Sequence, residues 1–417
     1  MLDPDYFTHK EDRLLSMFDD LEAFILKDIA RRLINAGEPT ASADYLMTRL
    51  RQMGESREEI NKKLMDIADR QKAEVKAILQ EAVKASFADD EAVFNKLDIK
   101  ATPPLKNNRV REIMDAEYKK TLGELTNLTR TTADTAQTDL IRLLDDAELR
   151  VSSGAQSYNA AVCDILDKYA DAGIRVSYPN GAGTTRTLET AVRCAVVTSI
   201  NQTAAQVSNA YIVEAGVQYV LVSAHLGARV RGKGQPELAG HDSWQGKVYR
   251  IEGKEPEYPN LTENTGYSID PETGTGTVVN PLGLHGYNCR HSHKPWDKSL
   301  RNPYVDADGK PTINTDENRK RYELNQKQRS MERSIRAVKR RIIAKQAEMD
   351  LIKDEDLQEK LQKEFITLSQ MLTQKNGAYN AFCESNGLPT QHERLKVSGY
   401  GRRQENAVKK AVKSAMN

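Results

Sequence analysis

Gly283-Leu284-His285-Gly286-Tyr287-Asn288-Cys289-Arg290-His291-Ser292-His293 is where the chain stops reading as helix and gathers its special chemistry. Five of the seven histidines and both tryptophans, Trp244 and Trp296, fall between positions 225 and 296. On either side apolar residues recur at intervals of three and four, the period of an amphipathic helix. The stretch therefore predicts a mainly α protein with a small central α+β domain, long N-terminal helices and a C-terminal coiled-coil hairpin.

Working outward, 217–223 is a run of Val, Tyr and Leu that reads as a buried strand, and 247–251 reads as another. The interval 253–286 is rich in Gly, Pro, Thr and Asn, which predicts loop with one hairpin around Thr273-Gly274-Thr275-Gly276. It is longer than a passive connection usually is. Further back, helices are expected over 6–36, 41–53, 57–87, 109–151, 158–172 and 188–215, with a loop at Tyr178-Pro179-Asn180-Gly181-Ala182-Gly183. Gly37 stops the first helix, Ser56 ahead of Glu58 and Glu59 reads as a helix start, and Thr102-Pro103-Pro104 breaks the pattern.

Downstream, helix resumes by Glu317, and Met331, Ile335, Val338, Ile342, Lys345, Met349 and Ile352 keep heptad spacing with one lysine on the seam. Leu361, Phe365, Leu368, Leu372, Lys375, Tyr379 and Phe382 keep it again. Lys353-Asp354-Glu355-Asp356 breaks the phase, which predicts two helices folded back antiparallel; one long helix with a stutter is the alternative. The segments read as an N-terminal helical region (1–101), long helices and linker (102–183), the central α+β domain (184–300), the coiled-coil helices (301–392) and a basic tail (393–417).

A chain of 417 residues exceeds one ordinary domain and predicts two or three structural units. With 29% charged residues, 39% hydrophobic ones and a mean hydropathy of -0.65, elongated helices with solvated faces are expected over one dense globule. Lys plus Arg total 61 against 60 for Asp plus Glu, so any attraction to nucleic acid must be local. No segment approaches the roughly 20 apolar residues that span a bilayer, no secretory signal is visible at residues 1–9, and no membrane partner is expected. Cys163, Cys194, Cys289 and Cys383 are scattered, which is no disulfide framework.

The candidate metal ligands are His225, His241, His285, Cys289 and His291, because neutral imidazole and thiolate suit a tetrahedral zinc. Their spacing matches no Cys-x2-Cys or His-x3-His pattern. The reading placed ahead of it is that the stretch pins an irregular loop: Asn and His side chains bond exposed backbone, Cys289 fills a gap, and Gly283 and Gly286 supply conformations other residues avoid. No cofactor is then needed. Catalysis would require His241-Asp242 as base and orienting carboxylate, or Cys289 as nucleophile, yet adjacent side chains pair poorly and no oxyanion partner is evident. Trp244 and Trp296 read as core anchors. Arg229, Arg231 and Lys233 among glycines are a weak phosphate signal. In the tail, seven Lys or Arg stand against two Glu. There Arg402, Arg403, Lys409, Lys410 and Lys413 are candidate DNA contacts, the alternative being a solvated, frayed end.

Ser223-Ala224-His225-Leu226-Gly227-Ala228-Arg229, His241-Asp242-Ser243-Trp244-Gln245-Gly246-Lys247-Val248-Tyr249, Thr265-Gly266-Tyr267 and Gly286-Tyr287-Asn288-Cys289-Arg290-His291, in this order, resemble the phage minor capsid protein 2 family. The helix containing Tyr322-Glu323-Leu324-Asn325-Gln326 and the ending around Gly387-Leu388-Pro389 are also similar to it. The motif residues are Trp244, Gln245, Gly246, Gly286, Asn288, Cys289, Arg290 and His291. A related group of head-morphogenesis proteins carries Asn-Cys-Arg-Cys, where this chain has His291, so a metal argument borrowed from that group is weakened. The resemblance implies a non-enzymatic structural protein of a tailed bacteriophage or prophage, made in the bacterial cytoplasm and present in a few copies per virion. It implies work in head assembly near the portal, with portal, major capsid protein or packaged double-stranded DNA as partners. Two other classes stay open on the residues alone: a metal-dependent nuclease or hydrolase using the His and Cys cluster, and a DNA-binding coiled-coil protein outside any virion.

Overall fold

The structure, a computed structural model, describes residues 2–7, 10–36, 43–177 and 185–415. Its elements are α1 (Asp12–Ala36), α2 (Ala43–Lys96), α3 (Asn108–Ser152), α4 (Tyr158–Ala172), β1 (Arg175–Ser177), β2 (Thr185–Thr187), α5 (Leu188–Glu214), β3 (Tyr219–Val222) and β4 (Val248–Arg250). They continue with α6 (Leu261–Thr265), β5 (Tyr267–Ile269), β6 (Gly276–Val278), β7 (His293–Trp296), α7 (Thr315–Leu351), α8 (Glu355–Ser385) and α9 (Arg402–Ser414). The protein is mainly α with a small α+β part. No helix among the described residues is long and apolar enough to cross a membrane.

Several local expectations are corrected. The first helix begins at Asp12, after a 3-10 turn over Pro4–Phe7. Two helices expected at 41–53 and 57–87 are one, α2. A single helical Gly costs about 1 kcal/mol, which a 54-residue helix absorbs. Ser56 therefore caps nothing; its hydroxyl lies inside the helix and donates to Asp28 at 2.6 Å. The interval read as loop also holds α6, started by Asn260, which accepts from the Glu263 amide. Residues 178–183 lie outside the described residues.

By its contacts the chain divides into two compact units, neither of them continuous. Unit 1 comprises Met1–Arg13, Gln71–Leu125 and Arg193–Gln326; unit 2 comprises Leu14–Arg70, Thr126–Val192 and Lys327–Asn417. In unit 1 a three-stranded antiparallel sheet has the order β4-β3-β7. Val220 of the central strand pairs with Tyr249 on one side and Pro295 on the other. Proline is tolerated there because β7 is an edge strand. Its core gathers Ile212 of α5, Val220, Val222, Trp244, Tyr249 and Tyr267 around Leu284 and Cys289. The second sheet is the expected hairpin, β5 against β6.

In unit 2, α7 and α8 are separate helices, the second capped by Asp354, which accepts from the Leu357 amide at 2.9 Å. Pairings fall in antiparallel order: Gln328 bonds Tyr379, Lys345 pairs with Glu364 and Gln358 bonds the Met349 carbonyl. This is the folded-back hairpin and not one long helix. The basic tail is helical as α9, with Val408 and Ala411 buried.

Unit 2 also holds a buried ion pair between α1 residues Asp28 and Arg32, whose Nε lies 2.9 Å from both carboxylate oxygens. Burial alone would raise the Asp28 carboxyl, but hydrogen bonds from Arg32, Ser56 and Arg31 outweigh it and hold it below the usual range. A depressed carboxyl stabilises the fold above its unfolded value of about 4 and loses that contribution as pH falls through the lower folded value. Asp28→Asn is expected to cost about 2 kcal/mol near neutral pH, through weakened charge-assisted bonds. The gap to the unmodified chain should close below about pH 4. Thermal unfolding of both chains across acid pH checks this, and a gap independent of pH contradicts it.

Candidate functional site

The central stretch is held from one side by α5. At 100° per residue, Asn201, Gln202, Gln206 and Asn209 share one side of that helix. The Asn201 amide nitrogen donates to the Cys289 carbonyl at 2.7 Å and the His291 carbonyl at 3.0 Å, and its oxygen lies 2.6 Å from His285 Nδ1. Gln202 donates to the His285 carbonyl, and Gln206 grips Gly276 by both its N–H and its carbonyl.

The assignments propagate. With its nitrogen donating twice, Asn201 must accept from His285 Nδ1–H, so His285 Nε2 carries a lone pair that accepts from His293 Nδ1–H at 2.8 Å. His293 Nε2 then accepts; the Asn209 amide, placed with its oxygen at that Nε2 and its nitrogen at the Tyr267 hydroxyl, satisfies the chain when turned end for end, a change that leaves its shape the same. Asn201, His285, His293, Asn209 and Tyr267 thus form one buried chain of satisfied groups. Burial lowers both imidazoles, His293 to about 3 and His285 well below its ordinary value, so both are neutral. At Gly276 a Cβ would sit 1.9 Å from the Tyr267 hydroxyl, which excludes any side chain.

The glycines of the stretch play a different part from the one expected. Gly283 and Gly286 are needed for close approach: a Cβ would stand 2.2 Å from the Thr265 carbonyl in the first case and 2.2 Å from that of Pro281 in the second. The left-handed positions are His285 (φ 57°) and Asn288 (φ 55°). Asparagine visits that region readily, and His285 is held there by bonds at both ring nitrogens.

Of the candidate ligands, His241, Cys289 and His291 converge and His285 does not. His241 Nδ1 lies 3.3 Å from His291 Nδ1, and Cys289 Sγ lies 3.8 Å from His291 Nδ1. All three residues are buried, and among the described residues they form the one group of three His, Cys, Asp or Glu side chains close enough to share an ion. Burial lowers His241 to about 3 and His291 well below its ordinary value, and pushes the Cys289 thiol up to about 11. His225, half-buried, stacks on the His291 ring at 4.5 Å.

The remaining motif residues build the walls. Trp244 is buried against His241 and His291 and donates Nε1–H to the Leu238 carbonyl. The Gln245 oxygen accepts from the His225 amide at 3.0 Å and faces His291 Nε2 at 3.1 Å. Gly246 takes φ 72° and packs on Tyr304 and Ala224. Trp296 is buried beside Tyr219 and Tyr258, as a core anchor. Arg290 is half-buried. Asp242 is no partner of His241, whose Nε2 meets the Leu282 carbonyl at 2.8 Å. Arg229 spends its guanidinium on the Leu282 and Tyr287 carbonyls and Arg231 on that of Gln235, so two of the three cations of the phosphate signal serve backbone.

Sequence reading missed the α5 amides and Asn318, which binds the amides of Gly227 and Ala228 and the Ala228 carbonyl. The signal was present as four amide side chains recurring on one side of a helix whose other residues are mainly Ala, Val, Ser and Thr. Arg402, Arg403, Lys409, Lys410 and Lys413 are in unit 2, all exposed on α9.

The model of one protein family, described as Phage minor capsid protein 2, matches residues 2–383. No curated protein and no solved structure matches the chain.

Proposed function

The chain belongs to the phage minor capsid protein 2 family, a structural component of the bacteriophage particle, and from that premise we propose that it acts in head assembly by contacting packaged double-stranded DNA near the portal. The observation that carries the DNA contact is α9. At 100° per residue its cations Arg402, Arg403, Lys409, Lys410 and Lys413 fall within roughly 120° of the helix circumference. Val408 and Ala411 lie outside that arc and are buried. A helix anchored by one side and basic on the other suits the regularly spaced charges of a duplex. The helical hairpin supplies protein-contact surface for portal or major capsid subunits.

Each phosphate neutralised contributes about -0.9 to the slope of log affinity against log salt, so five contacts give a slope of about -4.5. Replacing the five cations with glutamine is expected to weaken binding of the purified chain to duplex DNA by a hundredfold or more at low salt. It should also flatten the slope. Equal affinity and slope in the variant would remove α9 from DNA contact. Mass spectrometry of purified particles tests the virion side, where the expected result is a few copies of the chain per head.

A further inference from the structure

We infer that His241, Cys289 and His291 form a binding site for a single zinc-type divalent ion that ties the central stretch together. Hydrogen-bond bookkeeping leads to it. His241 Nε2 faces the Leu282 carbonyl, which can only accept, so the ring's proton is on Nε2. His291 Nε2 faces the Gln245 side-chain oxygen, fixed as oxygen because the His225 backbone amide donates to it as well, so this ring too is protonated on Nε2. Both Nδ1 atoms therefore carry lone pairs that point at each other across 3.3 Å inside the protein, with the Cys289 thiol 3.8 Å from that of His291. Neither lone pair can donate to the other, so the contact is unsatisfied as it stands.

An ion between them resolves the opposition. For zinc bond lengths of about 2.05 Å to nitrogen and 2.3 Å to sulfur, a tetrahedron has edges of about 3.3 Å (N to N) and about 3.6 Å (S to N). The observed separations are 3.3 Å between the imidazoles and 3.8 Å from Cys289 Sγ to His291 Nδ1. The three donor atoms all lie within 4.8 Å of one another. Each histidine gives its far N–H to a carbonyl-type oxygen, the outer arrangement that orients imidazole ligands and fixes their tautomer. Because the ion would join the Trp244 segment to the Cys289 stretch, its role is to fix unit 1, independently of any DNA contact by α9.

The test uses the full-length chain. Purified without chelator, it is expected to carry one zinc per chain by elemental analysis. After chelation and reconstitution with cobalt(II), it should show the visible bands of a tetrahedral ion and the near-ultraviolet thiolate-to-cobalt band. Cys289→Ser should abolish the thiolate band, and His241→Asn should lower zinc content at least tenfold. His285→Gln, in the neighbouring chain of bonds, should keep the metal. Binding of cobalt(II) or zinc weaker than micromolar by the unmodified, folded chain overturns the site, as does a cobalt spectrum without the thiolate band. Neither outcome depends on whether a variant folds.

Discussion

Asn201→Leu is expected to remove about 4 kcal/mol from the stability of unit 1. Leucine keeps the volume but strands three buried groups, the carbonyls of Cys289 and His291 and the Nδ1–H of His285. Each buried group left without a partner costs about 1–3 kcal/mol. The measurement is direct because both tryptophans belong to unit 1, so their fluorescence follows that unit alone. With a slope of about 2 kcal/mol per molar, the urea midpoint should fall by about 2 M. Gln202→Leu, which loses one bond to the buried stretch, that to the His285 carbonyl, and an exposed one from Lys120, should cost about 1 kcal/mol. Were the two variants equally mild, the stretch would be held by its own turns and the α5 amides would be incidental.

The second large effect is expected at Lys345, in unit 2. The heptad spacing put a lysine on the apolar seam, and the structure buries it completely, with its ammonium 2.7 Å from Glu348, 2.8 Å from Glu364 and 3.0 Å from Asp167. Burial pushes the Glu348 carboxyl up to about 7 although the lysine opposes it, while the surrounding carboxylates outweigh burial and raise the ammonium. Lys345→Met leaves a buried carboxylate without its cation, a change worth about 3–5 kcal/mol. Hydrogen exchange of the 335–351 amides should then quicken by about a thousandfold, at about 1.4 kcal/mol per tenfold. The sign with pH follows from the carboxyl. Lys345 lowers Glu348, so removing it sends the folded value higher still than about 7; the variant then loses more stability than the unmodified chain as pH rises above about 7, and the deficit should shrink as pH falls back to that value. Adding Glu348→Leu should recover most of the loss. A deficit that stayed constant with pH would mean that the lysine stem, and not its charge, holds the seam.

The local periods were legible because they depend on neighbours only. The bounds of α3, α4 and α5, the strand at β3, the β5–β6 hairpin and the break between α7 and α8 all come from spacing, caps and turn residues. What escaped depends on distant partners. β7 contains Pro295 and three other residues with no strand pattern, and it is a strand because Val220 and its neighbours offer it an edge. Helix α2 runs through Ser56, where a polar residue ahead of two glutamates suggested a start, because the Ser56 hydroxyl is taken up by distant Asp28. In the candidate site, the convergence of His241 on Cys289 and His291 spans about fifty residues of sequence, and no spacing rule reaches that far. His285, close to Cys289 in sequence, faces a different partner.

The interleaving of the two units bears on how the chain is made. Unit 1 needs residues 1–13, 71–125 and 193–326, so its core cannot close until the ribosome has passed position 326. The Leu2 carbonyl, which accepts from the Ser292 hydroxyl, waits for nearly three hundred residues of synthesis before its partner exists. Domains usually fold as units in the order they emerge. Here α1 and the early part of α2 emerge first, yet they belong to the unit that also takes α4 and most of α7 and is completed only by α8 and α9, the last helices translated. Long helices that hold themselves together by their own backbone bonds suit such a delay, and a truncation placed almost anywhere along the chain removes part of a core.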